Sequence, residues 1–163
     1  MRRPRSDRTA NAEADERTVR TAALALLAGR DFARHELVTR LESKGYSRAG
    51  VQTVVEQLAA EKLLSEGRFV AQFVRQHAGR GQGPVRIRLE LRQRGVEAES
   101  IDTAIDESGE DWVETARLAR RRKFGASPPA DFRERAKQAR FLQYRGFSAE
   151  QVRAALGPGD DTD

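Results

Sequence analysis

Lys44-Gly45-Tyr46, Arg94-Gly95-Val96 and Arg145-Gly146-Phe147 decide the fold of this 163-residue chain. Each stretch has a basic residue before a glycine and an apolar residue after it, and the glycines lie 50 and 51 residues apart. Such spacing is typical of a protein built from repeats. Apolar residues recur four positions before, six after and ten after each glycine: Leu41, Val51 and Val55; Leu91, Ile101 and Ile105; Leu142, Val152 and Leu156.

Each glycine is expected to end one helix and to lead into another. Glycine is the usual left-handed residue after a helix, and the apolar residue that follows it packs back on the helix. Ser47 and Ser148 are candidate N-caps for the next helix, and Ser148-Ala149-Glu150-Gln151 fits a capping box. An amphipathic pattern upstream of each pair predicts a third helix, from Val19, Ala22, Ala23, Leu26 and Leu27; from Phe69, Val70, Phe73 and Val74; and from Trp112, Val113, Ala116 and Ala119.

The fold class predicted is therefore all-α, with three tandem three-helix repeats stacked into an elongated, curved array. We place the repeats at residues 15–65, 66–109 and 110–157. Residues 1–14 are polar and charged without an apolar period, so we expect them to be disordered. Residues 158–163 form a short acidic tail.

The composition favours a polyanionic partner. The formal net charge is +5, 34% of residues are charged, and 38% are hydrophobic. All basic residues except Lys44, Lys62, Lys123 and Lys137 are arginine, whose planar fork suits phosphate and carboxylate groups. A genome rich in G and C gives the same bias towards arginine, so composition indicates nucleic acid without deciding for it.

The composition also excludes several classes. There is no cysteine, hence no disulfide framework and no thiolate metal site. No apolar run approaches the roughly 18 residues that span a bilayer, and acidic residues near the N-terminus interrupt any signal-peptide pattern. We expect a cytoplasmic protein that does not interact with membranes.

Charge is uneven along the repeats. Residues 75–94, with Arg75 and Arg94 included, hold six arginines and one acidic residue, whereas Gly95–Glu114 holds eight acidic residues and no basic one. Thr115–Arg145 then holds ten basic residues and two acidic ones. Part of this pattern predicts salt bridges between neighbouring helices. The run Arg120-Arg121-Arg122-Lys123 is too dense for that alone and indicates a nearby anion.

The stretch Gly81-Gln82-Gly83-Pro84 predicts a helix with proline at its first position. Ile87 and Leu91 share a face with Pro84 and should be buried, whereas Arg86 points away. A nucleotide-binding loop is disfavoured because the stretch follows a helix and lacks the Lys-Ser/Thr of a P-loop.

These residues resemble the RecX family of bacterial regulatory proteins over residues 17–156. The resemblance is carried, in order, by Gly81-Gln82-Gly83-Pro84, Arg86-Ile87, Glu90-Leu91, Arg94-Gly95, Asp111-Trp112, Arg140-Phe141-Leu142 and Arg145-Gly146-Phe147. One departure is Val85, where many members carry a basic residue.

The resemblance implies tandem three-helix repeats that bind the RecA–single-stranded DNA filament and modulate, mainly inhibit, its recombinase and co-protease activities. The partners implied are RecA and single-stranded DNA, with duplex DNA as a further candidate. We expect a monomer with no enzymatic activity, no cofactor and no metal. The candidate contacts with the filament or DNA are Arg86, Arg88, Arg92, Arg120, Arg121, Arg122, Lys123, Arg133, Lys137 and Arg140.

Two other functional classes are less well supported by the sequence. A winged-helix transcription regulator would use Tyr46–Val70 as a recognition helix and wing, but the apolar period continues as a helix beyond Phe69. An enzyme is disfavoured because His35 and His77 have no metal-pair spacing, and Asp102 and Asp106 lie one turn apart on an acidic helix. Trp112 is expected to be a core anchor, with base stacking as the alternative.

Overall fold

The computed structural model describes residues 5–159, and the side chains of residues 10–159. Within this part of the chain the regular structure is entirely helical, with no strand, and the helices follow one another in three sets of three. The predicted all-α fold of three-helix repeats is thus confirmed. The helices are α1 Arg5–Gly29, α2 Arg34–Ser43, α3 Arg48–Ala60, α4 Glu66–Gly79, α5 Pro84–Gln93, α6 Ala98–Glu107, α7 Trp112–Phe124, α8 Phe132–Tyr144 and α9 Ala149–Leu156.

Two compact units contain these helices. The first includes the residues up to Phe69 together with Arg94–Val96, and the second includes Val70–Gln93 and the residues from Glu97 onward. In the first unit α1 packs against α2 and α3. Its core consists of buried aliphatic residues and one phenylalanine: Val19, Ala23, Phe32, Leu37, Leu41, Val51, Val54, Val55, Leu58 and Leu64.

The second unit has a core of its own where α7 packs against α8 and α9. Trp112, at the start of α7, is partly buried against this core, which supports its role as an anchor. The buried residues are mostly small or aliphatic, so the helices approach closely. They are Ala116, Ala119, Leu142, Phe147, Val152 and Ala155.

The repeat turns have the predicted conformation. Gly45, Gly95 and Gly146 have φ values of +93°, +82° and +92°, which L-residues with a side chain rarely adopt. The leucine four positions before each glycine is fully buried. The sequence repeat therefore reflects one recurring helix–turn–helix geometry.

The predicted caps are also present. Ser148 accepts a hydrogen bond from the Gln151 backbone N–H, and the Gln151 side chain accepts one from the Ser148 N–H, which completes a capping box. Ser47 caps α3 by accepting from the Gly50 N–H, and its hydroxyl donates to Asp15 at 2.7 Å. Pro84 occupies the first position of α5, where its missing N–H costs nothing.

The N-terminal segment differs from the prediction. Residues 5–14, expected to be disordered, belong to α1, whose later part is fixed in the core by Val19 and Ala23. A helix anchored at one end extends readily through residues of good helix propensity such as alanine, glutamate and arginine. Residues 1–4, and 160–163 of the predicted acidic tail, lie outside the described residues. None of the described helices is long and apolar enough to cross a membrane.

Candidate nucleic-acid interface

Helix α8 presents an exposed line of three cations and one tyrosine, Arg133, Lys137, Arg140 and Tyr144, here called the α8 stripe. Steps of four, three and four residues place these side chains on one face of the helix. Tyr144 is 85% exposed. Over residues 10–159 no carboxylate lies within 4 Å of the three cationic groups. The stripe therefore combines unneutralised positive charge with an available aromatic ring.

The predicted contact residues at the end of α7 differ in their hydrogen-bond and ion-pair partners. Arg121 and Lys123 are exposed and form no ion pair with any described residue. Arg122 is exposed as well, but its Nη1 donates to the Gly79 carbonyl oxygen at 3.3 Å. The Lys137 ammonium nitrogen lies 5.8 Å from the centroid of the Phe124 ring. This cation–π contact connects the end of α7 to the α8 stripe.

Arg120 was predicted to be a surface contact, and the structure corrects this. Its side chain is only 7% exposed, and its Nη1 donates to the Ser127 carbonyl and to Gln138 Oε1, both at 3.1 Å. Four consecutive residues of a helix point in directions that span most of a circle, so one of them must face the neighbouring helix. Arg120 holds the turn after α7 against α8 and is not available to a partner.

The candidates on α5 are partly neutralised. Arg86 Nε donates to Glu90 Oε1 at 2.9 Å, and Arg88 Nε donates to Asp102 Oδ1 at 2.8 Å. The second pair confirms that part of the charge alternation is salt bridging between neighbouring helices. Arg92 is exposed and has no carboxylate within 4 Å among the described side chains. Arg88 and Arg92 line a cleft of about 490 Å3 that also contains Asp102 and Asp106.

A second cleft in this unit contains basic residues that the sequence patterns did not bring together. Arg80, Arg122, Lys123 and Arg145 line a space of about 140 Å3, here called the basic cleft. Phe141, Gly81 and Ala119 complete its lining, which includes no acidic residue. The Arg145 guanidinium lies 5.3 Å from the Phe141 ring centroid. Arg80 and Arg145 are 65 positions apart, so no local pattern indicates this cluster.

The end of α4 fixes two of these arginines. The last carbonyl groups of a helix have no partner within the helix and carry partial negative charge. Arg122 donates to the carbonyl of Gly79, and Arg145 donates to that of Arg80 at 3.5 Å. Both guanidinium groups are therefore held at one edge of the cleft before any ligand arrives.

Backbone contacts hold the third repeat's turn against the start of α5. The Gly83 N–H donates to the Arg145 carbonyl at 2.8 Å, and the Val85 N–H donates to the Gly146 carbonyl at 3.0 Å. A β-carbon on Gly83 would lie 2.4 Å from the Gly146 carbonyl carbon and oxygen. The Gly-Gln-Gly-Pro stretch thus packs closely against the turn of the third repeat.

Within the described part of the chain no group of three or more His, Asp or Glu side chains could hold a metal ion. His77 stacks on Phe73 with ring centroids 3.7 Å apart, and its Nδ1 is hydrogen-bonded to Gln82. These contacts give His77 a packing role.

Glu36, in the first unit, has a shifted pKa. Burial raises the pKa of this carboxyl, but a hydrogen bond and ion pair with Arg30 at 2.6 Å and the charge of Arg94 at 3.3 Å outweigh that effect. The net result is a pKa below its ordinary value. The group is a structural ion-pair centre, since both cations lie on neighbouring segments of the same unit.

Three family models match the chain in order. Residues 20–58 match the first three-helix domain of RecX, residues 65–105 match the second, and residues 109–156 match the third. The matches cover most of the chain and correspond to the three sets of helices in the structure.

Curated relatives and a solved structure agree with the family-model matches. The regulatory protein RecX of Halorhodospira halophila is 51% identical over 93% of this chain and 94% of its own. That of Pseudomonas fluorescens strain Pf-5 is 45% identical over 88% and 93%. The crystal structure of RecX from Lactobacillus salivarius has a TM-score of 0.76 at 19% identity, covering 88% of this chain and 96% of that one, and so supports the fold alone. The domain matches and the identity over nearly the full length of both relatives show that the chain belongs to the RecX family of regulatory proteins.

Proposed function

We propose that this protein binds the RecA–single-stranded DNA filament and inhibits its recombinase and co-protease activities. Membership of the RecX family supports the regulatory role. The observation that carries the binding mode is the α8 stripe, whose three cations have no carboxylate within 4 Å among the described residues. Such a line of cations matches the regularly spaced phosphates of a polynucleotide.

The neutralised and free cations indicate which repeat does the binding. Arg86 and Arg88 already have carboxylate partners, so a new anion must compete for them. Arg121, Lys123 and the α8 stripe have none among residues 10–159 and lose no ion pair on binding. We therefore assign the main DNA contact to the third repeat, with Arg92 as a secondary contact.

Inhibition follows from the protein's occupation of the filament surface. A protein that lies along the filament and contacts the bound strand or acidic RecA side chains obstructs the second duplex and the repressor substrate. This mechanism needs no catalytic group. It differs from that of a winged-helix regulator, whose wing would occupy Arg68-Phe69-Val70, because those residues belong to helix α4.

The test is co-sedimentation with RecA filaments and, separately, with single-stranded DNA, for wild type and two triple variants. Arg133→Gln/Lys137→Gln/Arg140→Gln removes the stripe's charge. Arg40→Gln/Lys44→Gln/Arg48→Gln removes the same charge from exposed residues of the first unit. We expect the stripe variant to lose binding at least tenfold and the control to remain within about twofold. Equal losses, or no sedimentation of the wild type with filaments, would contradict the proposal.

A further inference from the structure

We propose that the basic cleft holds one phosphodiester group of single-stranded DNA. The proposal rests on the proposed function for the identity of the polymer, but its test needs no RecA. Its starting point is that four cationic side chains, Arg80, Arg122, Lys123 and Arg145, line one small space whose lining has no carboxylate. Four cations converge at such a site only at an electrostatic cost unless an anion is present.

The size of the cleft limits the ligand. Its volume of about 140 Å3 lies well below the roughly 300–1,000 Å3 of sites that enclose drug-sized molecules. A whole nucleotide does not fit inside, whereas a single anionic group of a longer molecule does. The polymer must therefore remain outside and insert one charged group.

The cleft is organised in advance on one side. Arg122 and Arg145 are held by the carbonyls at the end of α4, and each guanidinium has further N–H groups beyond the one used there. The side-chain nitrogens of Arg80 and Lys123, both exposed residues, make no hydrogen bond or ion pair with the described residues. Two cations already held by backbone carbonyls and two without a side-chain partner among the described residues suit an anion with several acceptor oxygens, which is the character of a phosphate.

Neighbouring residues indicate a polymer of anions. Phe141, in the lining, directly follows Arg140 of the α8 stripe. Lys123, also in the lining, precedes Phe124, whose ring contacts Lys137 of the same stripe. Two residues of the cleft lining are therefore direct sequence neighbours of Arg140 and of the ring that lies against Lys137. A strand that lies on the stripe can place one phosphate in the cleft, whereas an isolated carboxylate of a protein would leave most of these cations unused.

The test measures the binding of fluorescent oligo-dT by anisotropy across a salt series. The variant is Arg80→Gln/Lys123→Gln, and its matched control is Arg40→Gln/Lys44→Gln, which removes the same charge from exposed residues of α2 and its C-cap. One lost phosphate contact should lower affinity about tenfold at 0.1 M salt and reduce the slope of log K against log salt by about 0.7. The charge-conserving variant Lys123→Arg should keep the wild-type slope.

Other results would overturn the proposal. An unchanged slope and affinity in the folded double variant, checked by its helical circular dichroism, means that no backbone phosphate lies in the cleft. Normal DNA binding with weakened binding to RecA filaments assigns the cleft to acidic RecA side chains instead. Failure of RecA inhibition with the predicted slope change intact would count against the proposed function alone.

Discussion

Gly146 lies so close to Arg86 that a β-carbon on Gly146 would be 2.3 Å from the Arg86 Cβ. The same contact recurs in the first unit, where a β-carbon on Gly95 would lie 2.7 Å from the Cβ of His35. Gly45 has a similar left-handed φ of +93°, but a β-carbon there would meet nothing within 4 Å. Glycine is therefore required by contact at two repeat turns and by conformation alone at Gly45.

Gly146→Ala and Gly45→Ala separate these two requirements. Both substitutions put a side chain on a left-handed residue, which costs about 1 kcal/mol or somewhat more. Only Gly146→Ala also forces apart the turn and the start of α5, which adds about 1–3 kcal/mol. Urea unfolding followed by circular dichroism should show the larger loss for Gly146→Ala. Equal losses would contradict the contact.

Arg120→Ala should destabilise the second unit by about 3 kcal/mol. It leaves the Ser127 carbonyl and the buried Gln138 side chain without their charged donor. The neighbouring Arg121→Ala is the control, since Arg121 is exposed, and it should change the free energy of unfolding by less than about 0.5 kcal/mol. If both variants unfold at the same urea concentration, Arg120 does not have the structural role assigned to it.

Glu36 should make stability depend on pH. Its pKa is lower in the folded protein than its ordinary value of 4.5, so the folded state binds its proton less readily than the unfolded chain does. The stabilisation is present in full above the unfolded pKa and is lost as the pH falls through the folded pKa. Wild type should therefore be more stable than Glu36→Gln at pH 7, and this difference should shrink below about pH 4.5. A stability difference that stays constant from pH 7 to pH 3 would show that protonation of Glu36 is not coupled to folding.

Tyr144 should contribute to single-stranded DNA binding through stacking. The ring is 85% exposed beside three cations of α8, and base–aromatic stacking is worth about 1–3 kcal/mol per base. Tyr144→Ala should weaken oligo-dT binding about tenfold at every salt concentration, because no charge is removed, whereas Tyr144→Phe should bind like wild type. A changed salt slope, or equal loss in both variants, would mean that the ring does not stack on a base.

Much of the fold could be predicted because its signals are local. The left-handed glycines, the buried Leu41, Leu91 and Leu142, and the capping box at Ser148 each depend on residues within a few positions. The helical state of residues 5–14 was missed because those residues contribute no apolar period of their own. Their helix continues one whose buried face begins further along the chain.

The candidate site was harder to predict because it depends on tertiary contacts. Which of four consecutive basic residues turns inward depends on Gln138, which lies 18 positions beyond Arg120. Arg80 and Arg145 meet because the turn at Gly146 packs against the start of α5. Residue spacing in the sequence does not predict that contact. Tyr144 could have been predicted as a site residue, because it lies four positions after Arg140 and so on the same helix face as Arg133, Lys137 and Arg140.

RecA-mediated strand exchange in the presence of an equimolar amount of the protein tests the central claim most directly. We predict that wild-type protein slows the exchange severalfold, that Arg133→Gln/Lys137→Gln/Arg140→Gln restores most of the rate, and that Arg40→Gln/Lys44→Gln/Arg48→Gln inhibits like wild type. An exchange rate that the wild-type protein leaves unchanged would contradict the assignment of this chain as an inhibitor of the filament.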